Sequence, residues 1–161
     1  MKHIFVKTLV PFVILLGLTS LLISKNATLT GIPTPKAVHT IHWLSLDEAT
    51  KRAEKQKKPL LITIYADWSD GCKKMETETF TKPSIIEYIN THYYAVRLNA
   101  ESPTNVKFQD TEIPTQQIAQ HIFNVTSYPS IVYINTDNVM TTVPGYQNPH
   151  DFEMYLRYFG K

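Results

Sequence analysis

The sequence predicts an α/β fold, in which helices flank a central mixed β-sheet and a hydrophobic helix precedes the domain. Short runs of β-branched and aromatic residues alternate with helical patterns, which favours parallel pairing through crossover helices. Near the C-terminus the turn Thr136-Asp137-Asn138 joins two such runs, and a turn this short requires an antiparallel pair. We therefore expect both kinds of pairing in one sheet.

The first 25 residues have the pattern of a signal-anchor or of a signal peptide. Lys2 and Lys7 precede an uncharged, mostly apolar run at positions 8–24, and Lys25 follows it. The length of this run lies between the apolar core of a signal peptide and a spanning helix of about 20 residues, so cleavage stays open. In both cases the positive charges stay inside, and the rest of the chain is expected to be extracytoplasmic.

Residues 26–40 are predicted to form a linker, because Gly31, Pro33 and Pro35 lie in a stretch with few apolar residues. Residues 41–161 then remain for the folded part of the chain. That length fits one ordinary domain with a buried core, so a two-domain enzyme is not expected.

Charge and cysteine content exclude several classes of function. The chain has 16 basic and 14 acidic residues, and its net charge of +2 is too small to indicate nucleic-acid binding. Cys72 is the single cysteine, which excludes an internal disulfide and any multi-cysteine zinc or iron–sulfur site. The six histidines are scattered and no nucleotide-binding motif is present, so we expect neither a metal nor a cofactor.

The first half of the domain is predicted from caps and apolar patterns. Ser45-Leu46-Asp47-Glu48 is a capping box that begins a helix, which ends before Pro59. Residues 60–66 (LLITIYA) have the composition of a strand buried on both faces. A second helix is expected over residues 69–80.

The second half repeats this alternation. Pro83 suits the first turn of a third helix. Residues 93–98 are predicted to form a second strand, and the polar residues 100–114 a loop. A helix over residues 115–123 and an antiparallel pair of strands are expected next. The last helix has its apolar residues at helical spacing, namely Phe152, Tyr155, Leu156 and Phe159.

Two separated motifs carry a resemblance to a known family. The segment Trp68-Ser69-Asp70-Gly71-Cys72 resembles the active-site segment of thioredoxins, in which a tryptophan precedes Cys-x-x-Cys, but Ser69 replaces the first cysteine. The loop with Tyr128-Pro129 resembles the thioredoxin loop whose proline is cis and faces that segment. The resemblance implies a thioredoxin fold.

Over residues 41–160 the chain is similar to bacterial extracytoplasmic thioredoxin-like proteins and to the C-terminal domain of thiol:disulfide interchange proteins. The shared residues are Trp43, Glu48-Ala49, Lys58-Pro59, Asp67-Trp68 and Cys72-Lys73-Lys74-Met75. This likeness implies a cell envelope location similar to the bacterial periplasm, either anchored in the inner membrane or secreted after cleavage.

Two departures from the family indicate a degenerate redox site. The hydroxyl of Ser69 cannot accept electrons from a disulfide, so a two-cysteine cycle within one chain is not available. The family tends to place a buried aspartate where this chain has Thr63. We interpret Ser69 as a helix N-cap that accepts the N–H of Gly71 or Cys72.

Cys72 has two open interpretations. It is a small buried residue, or it is a single catalytic thiol that forms a mixed disulfide with a partner, with access opened by the missing side chain of Gly71. The same thiol could also link two copies of the chain, and the sequence does not decide the oligomeric state.

The resemblance also implies a peptide-binding surface, because a cis-proline loop can hold an extended peptide by strand-like hydrogen bonds. Trp68 and Tyr128 would flank a groove beside Pro129. Our leading hypothesis is a protein-binding or accessory module for unfolded or thiol-bearing extracytoplasmic proteins. Monothiol disulfide exchange through Cys72, similar to that of a thiol-disulfide oxidoreductase, and a structural role in an envelope complex are the alternatives.

Overall fold

Residues 40–161 are described by the computed structural model, and they form a five-stranded sheet with helices on both faces. The predicted hydrophobic helix and linker, up to residue 39, lie outside the described residues. In chain order the strands are β1 (Trp43–Leu44), β2 (Leu60–Tyr65), β3 (Tyr94–Asn99), β4 (Asn105–Phe108), β5 (Thr111–Pro114), β6 (Ser130–Ile134) and β7 (Met140–Pro144). The α-helices are α1 (Leu46–Gln56), α2 (Asp70–Lys74), α3 (Pro83–His92), α4 (Thr115–Gln117) and α5 (Pro149–Phe159).

The sheet has the strand order β1-β3-β2-β6-β7 and is mixed, as predicted. The central strand β2 pairs parallel with β3 and antiparallel with β6, so that Thr63 lies between Arg97 and Ile131. β7 pairs antiparallel with β6 through the predicted short turn. The first five residues of β2 are buried, which confirms a strand covered on both faces.

Alternation along β2 divides the core into two layers. Leu61 lies on the face covered by α3 and α5, where it joins a cluster with Ile89 and Phe152. Ile62 lies on the opposite face, in a cluster with Leu46 of α1. The predicted apolar face of α5 is confirmed, since Phe152 and Leu156 are fully buried in the first cluster.

The caps of α1 follow the sequence closely. The Ser45 hydroxyl accepts the Glu48 N–H at 3.2 Å, which satisfies one of the free donors of the first turn. The helix ends at Gln56, and its C-cap Lys57, whose backbone is left-handed, lies two residues before Pro59. Among residues 40–161 no helix combines the length and apolar character that crossing a membrane requires.

The prediction of a loop over residues 100–114 is wrong, because this segment contains the antiparallel hairpin β4–β5. Its turn is Gln109-Asp110, with both residues at positive φ, as in a two-residue hairpin turn. Val106, Phe108 and Ile113 pack against the second core cluster. The hairpin was missed because each strand has four residues and the turn has no Asn-Gly or Asp-Gly signal.

Two smaller differences concern a short strand and the geometry of two helices. The two-residue strand β1 was not predicted, since it is too short for a pattern. The helices expected over 69–80 and 115–123 are present, but each changes from α to π geometry after its first residues. The π-helical turns are Met75–Thr79 and Ile118–Ile122.

Candidate functional site

The candidate site lies where β2 ends and α2 begins, beside the loop that leads into β6. Ser69 is the N-cap of α2 and is 5% exposed. Its hydroxyl oxygen accepts the Cys72 N–H at 3.4 Å, so the predicted capping role is confirmed. The donor is the backbone N–H of Cys72, the residue at the position of the family's second cysteine.

The Ser69 hydroxyl also connects α2 to a distant loop. It donates to the carbonyl oxygen of Tyr128 at 3.0 Å, across 59 residues of sequence. A backbone carbonyl accepts a hydrogen bond but does not remove a proton at neutral pH, so this partner does not activate a nucleophile. Ser69 therefore acts as a bridge between the helix N-terminus and the Tyr128–Pro129 loop.

Gly71 allows the same loop to approach the helix closely. A Cβ atom at this position would lie 2.8 Å from Cδ of Pro129, a distance that real side chains essentially never show. The expectation that the missing side chain opens access to Cys72 is wrong, because the ring of Pro129 occupies that space. The Tyr128–Pro129 peptide is cis.

Cys72, near the start of α2, and Thr63, in the middle of β2, are both buried. The Cys72 side chain is 6% exposed and the residue is a free cysteine. Thr63 is 2% exposed, and its hydroxyl finds no hydrogen-bond partner. Burial favours the interpretation of Cys72 as a packed residue, since a thiol that exchanges must be reached by the partner's sulfur atoms.

Trp68 and Tyr128 form the exposed part of the site. The Trp68 side chain is 64% exposed, and its indole N–H donates to Oε1 of Glu101 at 2.9 Å. Its ring meets the Tyr128 ring edge to face, with 6.1 Å between centroids. The two rings therefore form one continuous aromatic surface instead of two separate walls. Burial raises the pKa of the Tyr128 phenol, and the nearby Glu101 carboxylate raises it further.

Most carbonyl groups of the loop are already bonded within the domain. The Pro129 carbonyl accepts the Gly145 N–H at 2.7 Å, and the Ser127 carbonyl accepts the Ser130 hydroxyl at 2.7 Å. The Tyr128 N–H, in contrast, donates to no group within residues 40–161. This N–H belongs to a residue whose ring is part of the aromatic surface.

Polar residues from β3 bond to side chains that follow β2 in the sequence. Asn99 donates to the Asp67 carboxylate at 3.0 Å, and Arg97 pairs with Glu76 at 2.9 Å. Sequence reasoning missed these contacts and the bond from Trp68 to Glu101, because they depend on the parallel register of β2 with β3. No pattern in the sequence reports that register.

In the described part of the chain no three side chains of the metal-binding types come together. Asp70 is exposed, and its carboxylate forms a pair with Lys73 at 3.2 Å on the surface of α2. Of the residues predicted for the site, Trp68, Ser69, Gly71, Tyr128 and Pro129 are thus brought into contact by the fold.

Comparison with known sequences gives a family for most of the chain. The sequence model of the thioredoxin-like domain matches residues 46–160. The thiol:disulfide interchange protein DsbD of Pectobacterium atrosepticum is 26% identical over 108 residues, which are 65% of this chain and 17% of that protein. The chain thus spans about a sixth of the length of the curated relatives that it matches.

Solved structures show the same fold at low identity. A thioredoxin from Thermus thermophilus superposes with a TM-score of 0.58 at 15% identity, over 74% of this chain and 86% of that one. The reduced DsbD C-terminal domain of Neisseria meningitidis gives a TM-score of 0.54 at 19% identity, over 71% and 93%. The resemblance and the fold inferred from the sequence are confirmed.

Proposed function

Because the chain belongs to the family of thioredoxin-like domains, we propose that it is an extracytoplasmic, membrane-tethered module with a degenerate Ser-x-x-Cys site. In this proposal the domain binds unfolded or thiol-bearing proteins and does not catalyse two-cysteine disulfide exchange. It serves an accessory role in thiol:disulfide or folding processes of the cell envelope.

The bonds of Ser69 are the observation that carries the proposal. Its hydroxyl donates to the Tyr128 carbonyl and accepts the Cys72 N–H, so both of its hydrogen-bonding roles are filled within the domain. Serine cannot form a disulfide, and the remaining thiol at Cys72 is buried. The position that would start a two-cysteine cycle has a structural role instead.

The surface beside Ser69 supports peptide binding. The Tyr128 N–H has no described acceptor and suits one strand-like hydrogen bond from an extended chain. Trp68 and Tyr128 add a rigid, partly exposed aromatic surface of the kind that is enriched in binding sites. None of these groups depends on a redox-active cysteine.

The membrane tether and the location rest on other observations. The apolar run at positions 8–24, flanked by lysines, supports an anchor or signal peptide, and relatives named as thiol:disulfide interchange proteins support an envelope context. A C-terminal alkaline phosphatase fusion should be active only if the domain is exported. Retention of the full chain in carbonate-washed membranes would support a tether, and its release would favour cleavage.

Insulin reduction tests the redox half of the proposal. The full chain with dithiothreitol should precipitate insulin no faster than dithiothreitol alone, whereas a two-cysteine thioredoxin in the same assay should accelerate it. A clear acceleration by the unmodified chain would contradict the proposed degenerate site.

Fluorescence of Trp68 tests the binding half. Trp43→Phe leaves Trp68 as the sole tryptophan, and reduced, carboxymethylated α-lactalbumin supplies an unfolded chain without free thiols. We expect saturable quenching or a spectral shift. Binding followed by an independent method, such as calorimetry, should be lost in Trp68→Ala and kept in Tyr158→Ala, an exposed aromatic on α5.

Monothiol exchange is the second candidate, since Cys72 lies in the first turn of α2, where backbone N–H groups favour a thiolate. The Cys72 thiolate would attack a partner's disulfide, forming one mixed disulfide and releasing the partner's other sulfur as a thiolate. Alkylation of Cys72 by iodoacetamide in the native chain would support this candidate. Alkylation only after denaturant is added would leave the binding role.

A further inference from the structure

Strand β7 lies at an edge of the sheet and offers backbone groups to a further strand. It pairs with β6 on one side and with no strand of residues 40–161 on the other. Bonds from Asn135 N–H to Val139 C=O and from Gly145 N–H to Pro129 C=O fix which residues face β6. By alternation, Met140, Thr142 and Pro144 direct their backbone groups to the open side.

Pro144 fits this arrangement because it has no N–H to leave unpaired at the open edge. Prolines within sheets are largely confined to such positions. The open edge therefore presents the N–H and C=O of Met140 and of Thr142, together with the C=O of Pro144.

The edge lacks one feature that commonly prevents strand pairing, which is charge. Residues 138–149 contain no charged side chain, although edge strands are commonly protected by charges. Val139 is 59% exposed and Tyr158, on the neighbouring helix α5, is 72% exposed. A cavity of about 310 Å³ lies between β7 and the end of α5, lined by Val139, Thr141, Tyr158 and Phe159 among others.

We propose that β7 pairs antiparallel with β7 of a second copy of the chain, about a two-fold axis at Thr142. The two Thr142 residues then exchange a pair of hydrogen bonds. Each Met140 N–H donates to the Pro144 carbonyl of the other copy, so that four bonds join two sheets into one of ten strands. This inference does not depend on the proposed function.

Self-complementarity favours a second copy over an unrelated peptide. In this register every N–H of the open edge finds a carbonyl acceptor, because Met140 donates to Pro144 of the other copy and each Thr142 donates to the other Thr142. Two uncharged edges meet without like-charge repulsion, and a charged strand would find no counter-charge along residues 138–149. Val143 of the second copy lies beside Thr141, next to the cavity below Tyr158. Since five residues a side make a small contact, we expect a weak dimer.

Site-specific crosslinking tests the axis directly. The chain has one native cysteine, so Cys72→Ala provides a cysteine-free background. A directly opposed, hydrogen-bonded antiparallel pair has a Cα separation of about 5.5 Å, within the range of a disulfide. Thr142→Cys in the full chain should therefore form covalent dimers under mild oxidation. Ser84→Cys, exposed on α3, should crosslink at least about tenfold more slowly.

Association measurements test the same pairing with Thr142 unchanged. This matters because the Thr142 hydroxyl donates to the Phe123 carbonyl, and Thr142→Cys removes that bond. In sedimentation velocity, the full chain should show a monomer–dimer equilibrium. Met140→Lys, at an exposed residue of the edge, should weaken it at least about tenfold, whereas Trp68→Lys should leave it unchanged. A monomer at all concentrations, or a dimer weakened by Trp68→Lys and not by Met140→Lys, would overturn the proposal.

Discussion

Ser69 and Thr63 are two small hydroxyl residues in neighbouring parts of the core, and their surroundings differ sharply. Both are nearly fully buried, at 5% and 2% exposure. The Ser69 hydroxyl makes one hydrogen bond as acceptor and one as donor, whereas the Thr63 hydroxyl makes none. The Ser69 hydroxyl therefore completes the junction between α2 and the Tyr128–Pro129 loop. Strand β2, in contrast, contains a hydroxyl, that of Thr63, without a role in the hydrogen-bond network.

The difference indicates what each position contributes. A buried hydroxyl without a hydrogen-bond partner destabilises the fold by its desolvation cost. A hydroxyl that makes two hydrogen bonds stabilises the groups that it joins. By the resemblance to thioredoxins, Ser69 stands in place of a cysteine and Thr63 in place of an aspartate. We infer that the junction depends on its hydroxyl, and that Thr63 contributes through its shape alone.

The largest expected change is a gain of redox activity in Ser69→Cys. This substitution places two cysteines at the family's spacing, and oxidation by glutathione disulfide should join them, with loss of two hydrogens detected by mass spectrometry. Insulin reduction should then rise at least about tenfold above background. Ser69→Cys combined with Cys72→Ala should show neither change. Absence of the disulfide in Ser69→Cys would mean that the junction no longer brings these two side chains together.

Gly71→Ala should cause the largest loss of stability at the junction. The added Cβ would lie 2.8 Å from Cδ of Pro129, whose ring cannot rotate away. We expect a decrease of about 2 kcal/mol in the free energy of unfolding, measured with urea. Asp70→Ala, at an exposed position beside it, should cost less than about 0.5 kcal/mol. Equal values for the two variants would contradict the close contact between α2 and the loop.

Ser69→Ala measures the bridge itself. It removes a helix cap and leaves the Tyr128 carbonyl without its donor, so the free energy of unfolding should fall by about 1–2 kcal/mol. Ser45→Ala is the matched control, because Ser45 caps α1 through the Glu48 N–H alone. It should cost about 1 kcal/mol or less. If the two costs are the same, the Ser69–Tyr128 bond adds no stability.

Sequence reasoning predicted the contacts that are local and missed those that depend on register. The cap by Ser69 joins residues only three positions apart, and the strand β2 follows from a nearly unbroken apolar run. The bond to Tyr128 and the one from Trp68 to Glu101 join residues 59 and 33 positions apart. The resemblance to thioredoxins predicted that Tyr128 and Pro129 lie at the site, but it made no prediction for Glu101. Burial of Cys72 likewise depends on how the helix packs against residues distant in sequence, which composition does not report.

Thr63→Val should have the smallest effect, and its sign decides whether the contrast between the two hydroxyls is real. Valine has the same shape and removes only the unpartnered hydroxyl, so we expect between no change and a gain of about 1 kcal/mol in unfolding free energy. Thr79→Val is the matched control, because Thr79 is equally buried and donates to the Gln147 carbonyl at 2.9 Å. It should lose about 1 kcal/mol. A comparable loss in Thr63→Val would mean that a buried water bonds to Thr63, and the strand would then retain a polar site beneath α2.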